Sequence, residues 1–99
     1  MPAPIGRRPV LLLTRTSAYA YLNKVIVAEV TTTIREIAQE VKLGRTDGLR
    51  SESVANLDNV HVLPKAAIGV RLGELAPHRQ REVKRALGYA LAWPELQVL

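Results

Sequence analysis

The alternation of apolar and polar residues predicts a sheet in the first half of the chain. An unbroken apolar run lies within residues 9–14, and its length and the preceding Pro9 predict a strand buried at the centre of a sheet. A Val-rich segment, residues 24–31, predicts the second strand. Residues 39–43 alternate polar with apolar side chains, as a strand does when one face is solvated. Asp47 and Gly48 predict the turn that follows.

The second half of the chain has a less regular pattern. Residues 53–63 fit neither the helical nor the strand period throughout, which predicts two short strands separated by a bend. Residues 64–67 predict a single helical turn. Residues 68–75 alternate Ile, Val and Leu with Gly69, Arg71 and Gly73, which predicts a last strand.

A helix is predicted near the C-terminus. Pro77 suits the first helical position, and Pro94 follows the expected end of the helix near residue 92. Apolar residues recur every four positions, which predicts the side of the helix that faces the core. This stripe consists of Val83, Leu87 and Leu91, flanked by Ala86 and Ala90.

Composition supports a small, sheet-rich protein. The 99 residues predict one domain that spans the whole chain, with a core of aliphatic side chains, because Phe is absent and aromatic residues make up only 4%. A domain of this size buries only about 60 to 65% of the surface that its unfolded chain exposes. Dimerisation would relieve that limit.

The charge balance predicts a polyanionic partner. Fourteen lysines and arginines against nine acidic residues give a formal net charge of +5, which suits RNA, DNA or an acidic protein. There is no cysteine, so a reducing compartment is expected. No apolar segment reaches the roughly 18 residues of a membrane span. We therefore expect a soluble, cytoplasmic protein.

The sequence contains little of the usual catalytic apparatus. Its histidines, His61 and His78, are seventeen residues apart and form no metal-ligand pattern, and neither a phosphate loop nor a dinucleotide fingerprint is present. No metal or cofactor is therefore predicted. RNA cleavage by the substrate's own 2′-hydroxyl needs no metal and no protein nucleophile, but it does need stabilisation of charge on the phosphorane. A guanidinium beside a hydroxyl can supply that stabilisation.

Such groups occur at the ends of the first two predicted strands. Arg7 and Arg8 directly precede the first strand, and the second ends in Thr31, Thr32 and Thr33. If the two strands pair, arginine and threonine meet at one rim of the sheet.

Several segments together resemble the MazF/PemK family of toxin endoribonucleases. They are RRPVLLLTR at residues 7–15, VAEVTTTIR at 27–35, DGL at 47–49 and SVANLDNV at 53–60. The resemblance continues through Pro64-Lys65 and Ile68-Gly69 to ALGYAL at residues 86–91. It extends over nearly the whole chain in the family's order.

The resemblance implies an α+β, mainly β fold: a small, strongly bent antiparallel β-barrel with a C-terminal α-helix. It also implies a homodimer that cleaves single-stranded messenger or transfer RNA sequence-selectively, without a metal or cofactor. The products would be a 2′,3′-cyclic phosphate and a 5′-hydroxyl. A cognate, MazE-like antitoxin would hold the activity in check.

The resemblance also assigns roles to residues of this chain. The family's catalytic arginine, which directly precedes the proline of the first buried strand, falls on Arg8, and its catalytic threonine falls on Thr31. A polar residue near the RNA channel falls on Asn59. With their neighbours in the sequence, these positions give the predicted RNA-binding set of Arg7, Thr32, Thr33 and Asn59.

Two departures from the family pattern leave alternatives open. The family's first strand is expected to be missing here, and Glu29 stands where a proline is common, which places a carboxylate near the site. An inactive module that binds RNA or antitoxin is one alternative. A gyrase poison of the related CcdB type is another, but it depends on a Trp-Gly-Ile ending, whereas this chain has Trp93-Pro94-Glu95.

Overall fold

A computed structural model describes residues 8–14, 21–69 and 71–97. Within these ranges, four strands form one antiparallel sheet in the order β1-β2-β4-β3. The strands are β1 (Val10–Leu12), β2 (Lys24–Thr31), β3 (Glu40–Leu43) and β4 (Ser53–Pro64). Single 3₁₀ turns span Arg45–Asp47, Lys65–Ala67 and Pro77–Arg79, and the α-helices are α1 (Gln80–Ala90) and α2 (Pro94–Gln97).

The core lies between one face of the sheet and α1. It consists of small and medium aliphatic side chains from three strands, sealed by one alanine of the helix, namely Ala28, Val30, Val41, Leu43, Ala55, Leu57 and Ala86. These β-branched and small residues suit a pleated, closely covered surface. The curled antiparallel sheet with its C-terminal helix confirms the predicted fold class.

β4 is one continuous strand with a change of register. Ala28 pairs with Val60 but Glu29 pairs with Asn56, so residues 57–59 are inserted without partners on β2. Residues 53–57 are buried, whereas residues 58–62 are exposed. The predicted division into two strands is therefore wrong, because a bulge accommodates the irregular pattern within a single strand.

β1 does not have the central place in the sheet that was predicted for it. It lies at one edge of the sheet formed by the described strands and is only partly buried, although its apolar run predicted a central strand. Its pairing with β2 continues at both ends through backbone hydrogen bonds. Val30 N–H donates to the Pro9 carbonyl at 3.3 Å, and Leu13 N–H donates to the Ile26 carbonyl at 2.8 Å.

The strand predicted over residues 68–75 is not formed in its described part, residues 68–69 and 71–75. The predicted turn at Gly48 is present, with φ of 95°. A Cβ added to Gly73 would lie 2.1 Å from the carbonyl oxygen of Asp47, and one added to Gly48 would lie 2.1 Å from that of Leu72. This segment therefore packs its backbone against the turn, so its alternating pattern does not reflect sheet pairing.

The C-terminal helix begins where Pro77 predicted, first as a 3₁₀ turn and then as α1. Val83 and Leu87 pack against the core as expected. Leu91 is 56% exposed, so its predicted place in the buried stripe is wrong, because α1 ends at Ala90. None of the described helices is long and apolar enough to cross a membrane.

Arg79 ties the start of α1 to the sheet. Its guanidinium donates to both carboxylate oxygens of Asp47 at 3.1 Å, to the Lys42 carbonyl and to Glu82. Asp47 in turn accepts from the Gly44 N–H at 2.9 Å. The hydrogen bond from Arg79 lowers the pKa of the Glu82 carboxyl below its ordinary value. This cluster fixes the helix against the turn after β3.

Candidate active site

The β1 and β2 register brings Arg8 and Thr31 to the same place. Val10 lies opposite Glu29 and Leu11 opposite Ala28. Two residues further along the same register, Arg8 lies across from Thr31, and the hydrogen bond from Val30 to Pro9 shows that the two chains still run side by side there. The geometry therefore agrees with the expectation that arginine and threonine meet at one rim.

The side-chain surroundings of Thr31 orient its hydroxyl. Thr33 N–H donates to Thr31 Oγ1 at 3.1 Å, so the oxygen is engaged as an acceptor. A hydroxyl has one proton to donate, and that proton stays available for an acceptor outside the turn. Thr31 is half-buried, whereas Arg8, Thr32 and Thr33 are exposed. An anion at this rim can therefore meet both a guanidinium and a hydroxyl donor.

The other predicted RNA contacts are more dispersed. Asn59 is exposed and belongs to the three inserted residues of β4, beside the middle of β2, whereas Thr31 pairs with Val54. The structure therefore does not bring Asn59 to the rim. Arg7 lies outside the described residues.

The same face of the sheet carries a hydrogen-bonded pair of histidine and glutamate that the sequence did not indicate. Glu29 lies two residues before Thr31 on β2, and residues two apart on a strand share a face. His61 lies opposite Val27, the next residue of that face, and its Nε2 is hydrogen bonded to Glu29 Oε2. The histidine and glutamate side chains are 49% and 45% exposed.

The sequence pattern indicates Glu29 as a carboxylate near the site but contains no indication that His61 lies beside it. Their meeting depends on the bulge. If the pairing of Glu29 with Asn56 continued without a shift, Asp58 would stand opposite Val27. Spacing along the chain contains no signal for a three-residue insertion, so the pair could be found only from the strand register.

A loop between β2 and β3 borders this face. The Glu40 carboxylate accepts hydrogen bonds from the Arg35 N–H at 3.1 Å and from the Glu36 N–H at 3.0 Å. Glu40 pairs with Asn56, which pairs with Glu29 on the next strand. The loop is therefore held at its base by the same row of the sheet that contains Glu29.

The described residues were compared for clusters of potential metal ligands. Within residues 8–14, 21–69 and 71–97, no three His, Asp or Glu side chains converge in a group that could hold a metal ion. The candidate chemistry is that of a guanidinium, a hydroxyl and a histidine paired with a carboxylate.

These features define a class of protein: a small curled antiparallel sheet with a C-terminal helix, which presents an arginine and a threonine together at one rim. Residues 2–91 match the family described as PemK-like, MazF-like toxin of type II toxin-antitoxin systems, and the chain belongs to that family. The match includes every strand described above and α1.

Comparison with individual proteins agrees with this family. A probable endoribonuclease MazF5 of Mycobacterium tuberculosis is 43% identical over 90 residues, which cover 90% of this chain and 83% of the relative. The structure of the Mycobacterium tuberculosis toxin MazF-mt6 is 36% identical and superposes with a TM-score of 0.83, covering 86% of both chains. A structure described as a mycobacterial endoribonuclease in complex with its cognate antitoxin is 31% identical, with a TM-score of 0.79 over 94% of this chain and 88% of that one.

Proposed function

We propose that this protein is the toxin of a type II toxin-antitoxin system and that it acts as an endoribonuclease on single-stranded RNA. The single observation that carries the proposal is the register that sets Arg8 across from Thr31, in a chain whose relatives are named endoribonucleases.

The proposed reaction is a metal-independent transesterification. The 2′-oxygen of the substrate attacks the adjacent phosphorus, and the bond from phosphorus to the 5′-oxygen breaks. The products are a 2′,3′-cyclic phosphate and a 5′-hydroxyl. The Arg8 guanidinium and the Thr31 hydroxyl would donate hydrogen bonds to the phosphorane oxygens, where negative charge grows as the reaction proceeds.

The proposed RNA contacts extend from this rim. Arg7, Thr32 and Thr33 adjoin the reacting groups in the sequence. Asn59, further along β4, would contact another part of the bound RNA. The formal net charge of +5 favours the approach of RNA.

The proposed partners are a second copy of the chain and a cognate antitoxin. The support for an antitoxin is that a similar mycobacterial endoribonuclease is in complex with one. An acidic antitoxin segment would compete with RNA for Arg8 and its neighbours. Because RNA is translated in the cytoplasm, we propose the cytoplasm as the place of action.

One gel tests the central proposal. Purified protein is incubated with total RNA, with and without a chelator, and the new 5′ ends are mapped. We expect discrete fragments with 5′-hydroxyl ends in both samples, and none with Arg8→Ala or Thr31→Ala. Arg50→Ala, which changes another exposed arginine, should leave cleavage unchanged. An absence of wild-type cleavage, or a requirement for Mg²⁺, would refute the proposed reaction.

A further inference from the structure

The proposed reaction lacks a group that can remove the proton from the attacking hydroxyl. Arginine keeps its proton throughout the range in which proteins are stable, and a threonine hydroxyl is a poor base. Arg8 and Thr31 can therefore stabilise charge on the phosphorane, but they do not activate the 2′-oxygen.

The pair formed by His61 and Glu29 lies next to them. Glu29 and Thr31 occupy neighbouring positions on one face of β2, and such positions are about 7 Å apart. His61 approaches Glu29 from β4. The ring therefore contacts the residue next to Thr31 on this face, and it is half exposed, so a bound RNA strand could reach it.

The hydrogen bond fixes which ring nitrogen is free. A carboxylate can only accept, so Nε2 of His61 carries the proton that Glu29 accepts. In the neutral ring, Nδ1 then has a lone pair, and among the described residues Nδ1 has no hydrogen-bond partner. A carboxylate that holds an imidazole in this way also stabilises the imidazolium once the ring gains a second proton.

We propose that His61 is the general base of the RNA cleavage reaction and that Glu29 is its positioning residue. The proposal rests on the proposed function. Nδ1 of His61 takes the proton of the 2′-hydroxyl as the new bond from the 2′-oxygen to phosphorus forms. The bond from phosphorus to the 5′-oxygen breaks, and that oxygen takes a proton from water. The resulting hydroxide is neutralised when His61 returns its proton to solvent.

The bulge gives this assignment its structural basis. Residues 57–59 of β4 have no partners on β2, and their insertion puts an imidazole opposite Val27 where an unshifted register would put Asp58. An aspartate there would add a second carboxylate beside Glu29 and would repel phosphate. Because of the insertion, the residue opposite Val27 is His61, which can accept a proton, and not Asp58, whose carboxylate would repel phosphate.

The test uses an oligonucleotide that contains a cleavage site mapped with the wild-type protein. His61→Gln keeps an amide donor for Glu29 but cannot carry a proton, and we expect it to lower kcat by at least about 100-fold. Glu29→Gln should lower kcat by about 10-fold or more with KM unchanged, because it disturbs the orientation of the ring and not substrate binding. His78→Gln and Glu74→Gln, at exposed positions elsewhere, serve as matched controls and should cleave at the wild-type rate.

Two further measurements separate catalysis from folding. His61→Ala should regain activity when free imidazole is added, while its thermal unfolding and its binding of a 2′-deoxy substrate analogue stay like those of the wild type. A substrate with sulfur in place of the 5′-oxygen has a leaving group that needs no proton. The loss caused by His61→Gln should persist on that substrate if His61 is the base.

The outcomes are distinguishable. A His61→Gln protein that cleaves within about threefold of the wild-type rate would overturn this assignment while leaving the proposed function intact. Restoration of the His61→Gln rate by the sulfur leaving group would identify His61 as an acid and refute the base assignment. Failure of imidazole to restore His61→Ala would also count against it. If the wild-type protein cleaves no RNA, the proposed function itself fails.

Discussion

At the scale of single residues, the proposed site depends on which proton donors an anion meets at the rim of β1 and β2. Thr31 Oγ1 already accepts a hydrogen bond from Thr33 N–H, so its one proton stays available for an acceptor at the rim. Arg8 adds a planar fork of donors that can bridge two phosphorane oxygens. The chemistry and the shape of each side chain can be tested separately.

Thr31→Val keeps the branched shape of the side chain but removes the hydroxyl, whereas Thr31→Ser keeps the hydroxyl. We expect Thr31→Val to lower the rate of RNA cleavage by about 100-fold or more, in the range found when one donor to a developing oxyanion is removed. Thr31→Ser should retain most of the activity. Single-turnover cleavage of a labelled oligonucleotide measures both, and equal rates for the two variants would exclude a role for the hydroxyl.

Arg8→Lys tests the guanidinium in the same assay. A lysine keeps the positive charge but loses the two parallel N–H donors, so the rate should fall while RNA binding is largely retained. Arg50→Lys is the matched control. A wild-type rate for Arg8→Lys would mean that only the charge of Arg8 matters.

At the scale of elements, the packing of α1 depends on the Arg79 cluster. The Arg79 side chain is only 19% exposed and Asp47 only 10%. Loss of the guanidinium would leave a largely buried carboxylate without its cation, so Arg79→Ala should lower the free energy of unfolding by about 2 to 4 kcal/mol. Denaturant titration measures this change. Arg71→Ala, which breaks an exposed pair with Glu74, should cost only about 0 to 1 kcal/mol.

The same cluster gives a pH dependence of stability. Because Arg79 lowers the pKa of Glu82 in the folded protein, the unfolded chain binds more protons on this carboxyl as the pH falls. Its contribution is therefore present above the ordinary pKa of glutamate and is lost as the pH falls through the lowered pKa. The difference in Tm between the wild type and Glu82→Gln should be largest near neutral pH and should shrink by about pH 3. A difference that grew towards acid pH would contradict this sign.

Elements with a strong local pattern were predictable from the sequence. The bounds of β2 match their prediction, and the turn at Gly48 and the helix start at Pro77 are also confirmed. The strand predicted at residues 68–75 was wrong. The alternation there fits the strand period, but the backbone of Gly73 packs against the turn at Asp47 and Gly48 and does not pair in the sheet. Local periodicity does not report which backbones come close together.

The candidate site also contains residues that the sequence indicates and residues that it does not. Arg8 and Thr31 could be selected from the sequence because Arg8 precedes the first strand, Thr31 ends the second, and the resemblance assigns each a role. The pair formed by His61 and Glu29 could not, because thirty-two residues separate its members and their contact depends on the bulge in β4. A contact of this kind follows from register, which the sequence pattern alone does not specify.

At the scale of the whole molecule, part of the sheet surface remains apolar and uncovered. Ile26 and Val62 are cross-strand partners, and Val60 lies on the same face; Val62 is 62% exposed. Exposed apolar groups of this kind favour association, which supports the proposed homodimer. Sedimentation should give a dimer for the wild type at a protein concentration on the order of tens of micromolar, which suits an association of moderate affinity. Val62→Asp should shift it towards a folded monomer, whereas Glu95→Asp, at an exposed position of α2, should leave the dimer unchanged.

The formal net charge of +5 predicts how RNA binding responds to salt. Each phosphate that the protein contacts through a cation releases counterions, so the logarithm of the affinity should fall linearly with the logarithm of the salt concentration, with a slope of about −0.7 per contact on single-stranded RNA. Binding of a 2′-deoxy analogue that cannot be cleaved measures this slope. Arg8→Ala should make it less steep by about 0.7, because one phosphate contact is lost. Arg50→Ala should have the wild-type slope, and an unchanged slope for Arg8→Ala would place that arginine away from the phosphate backbone.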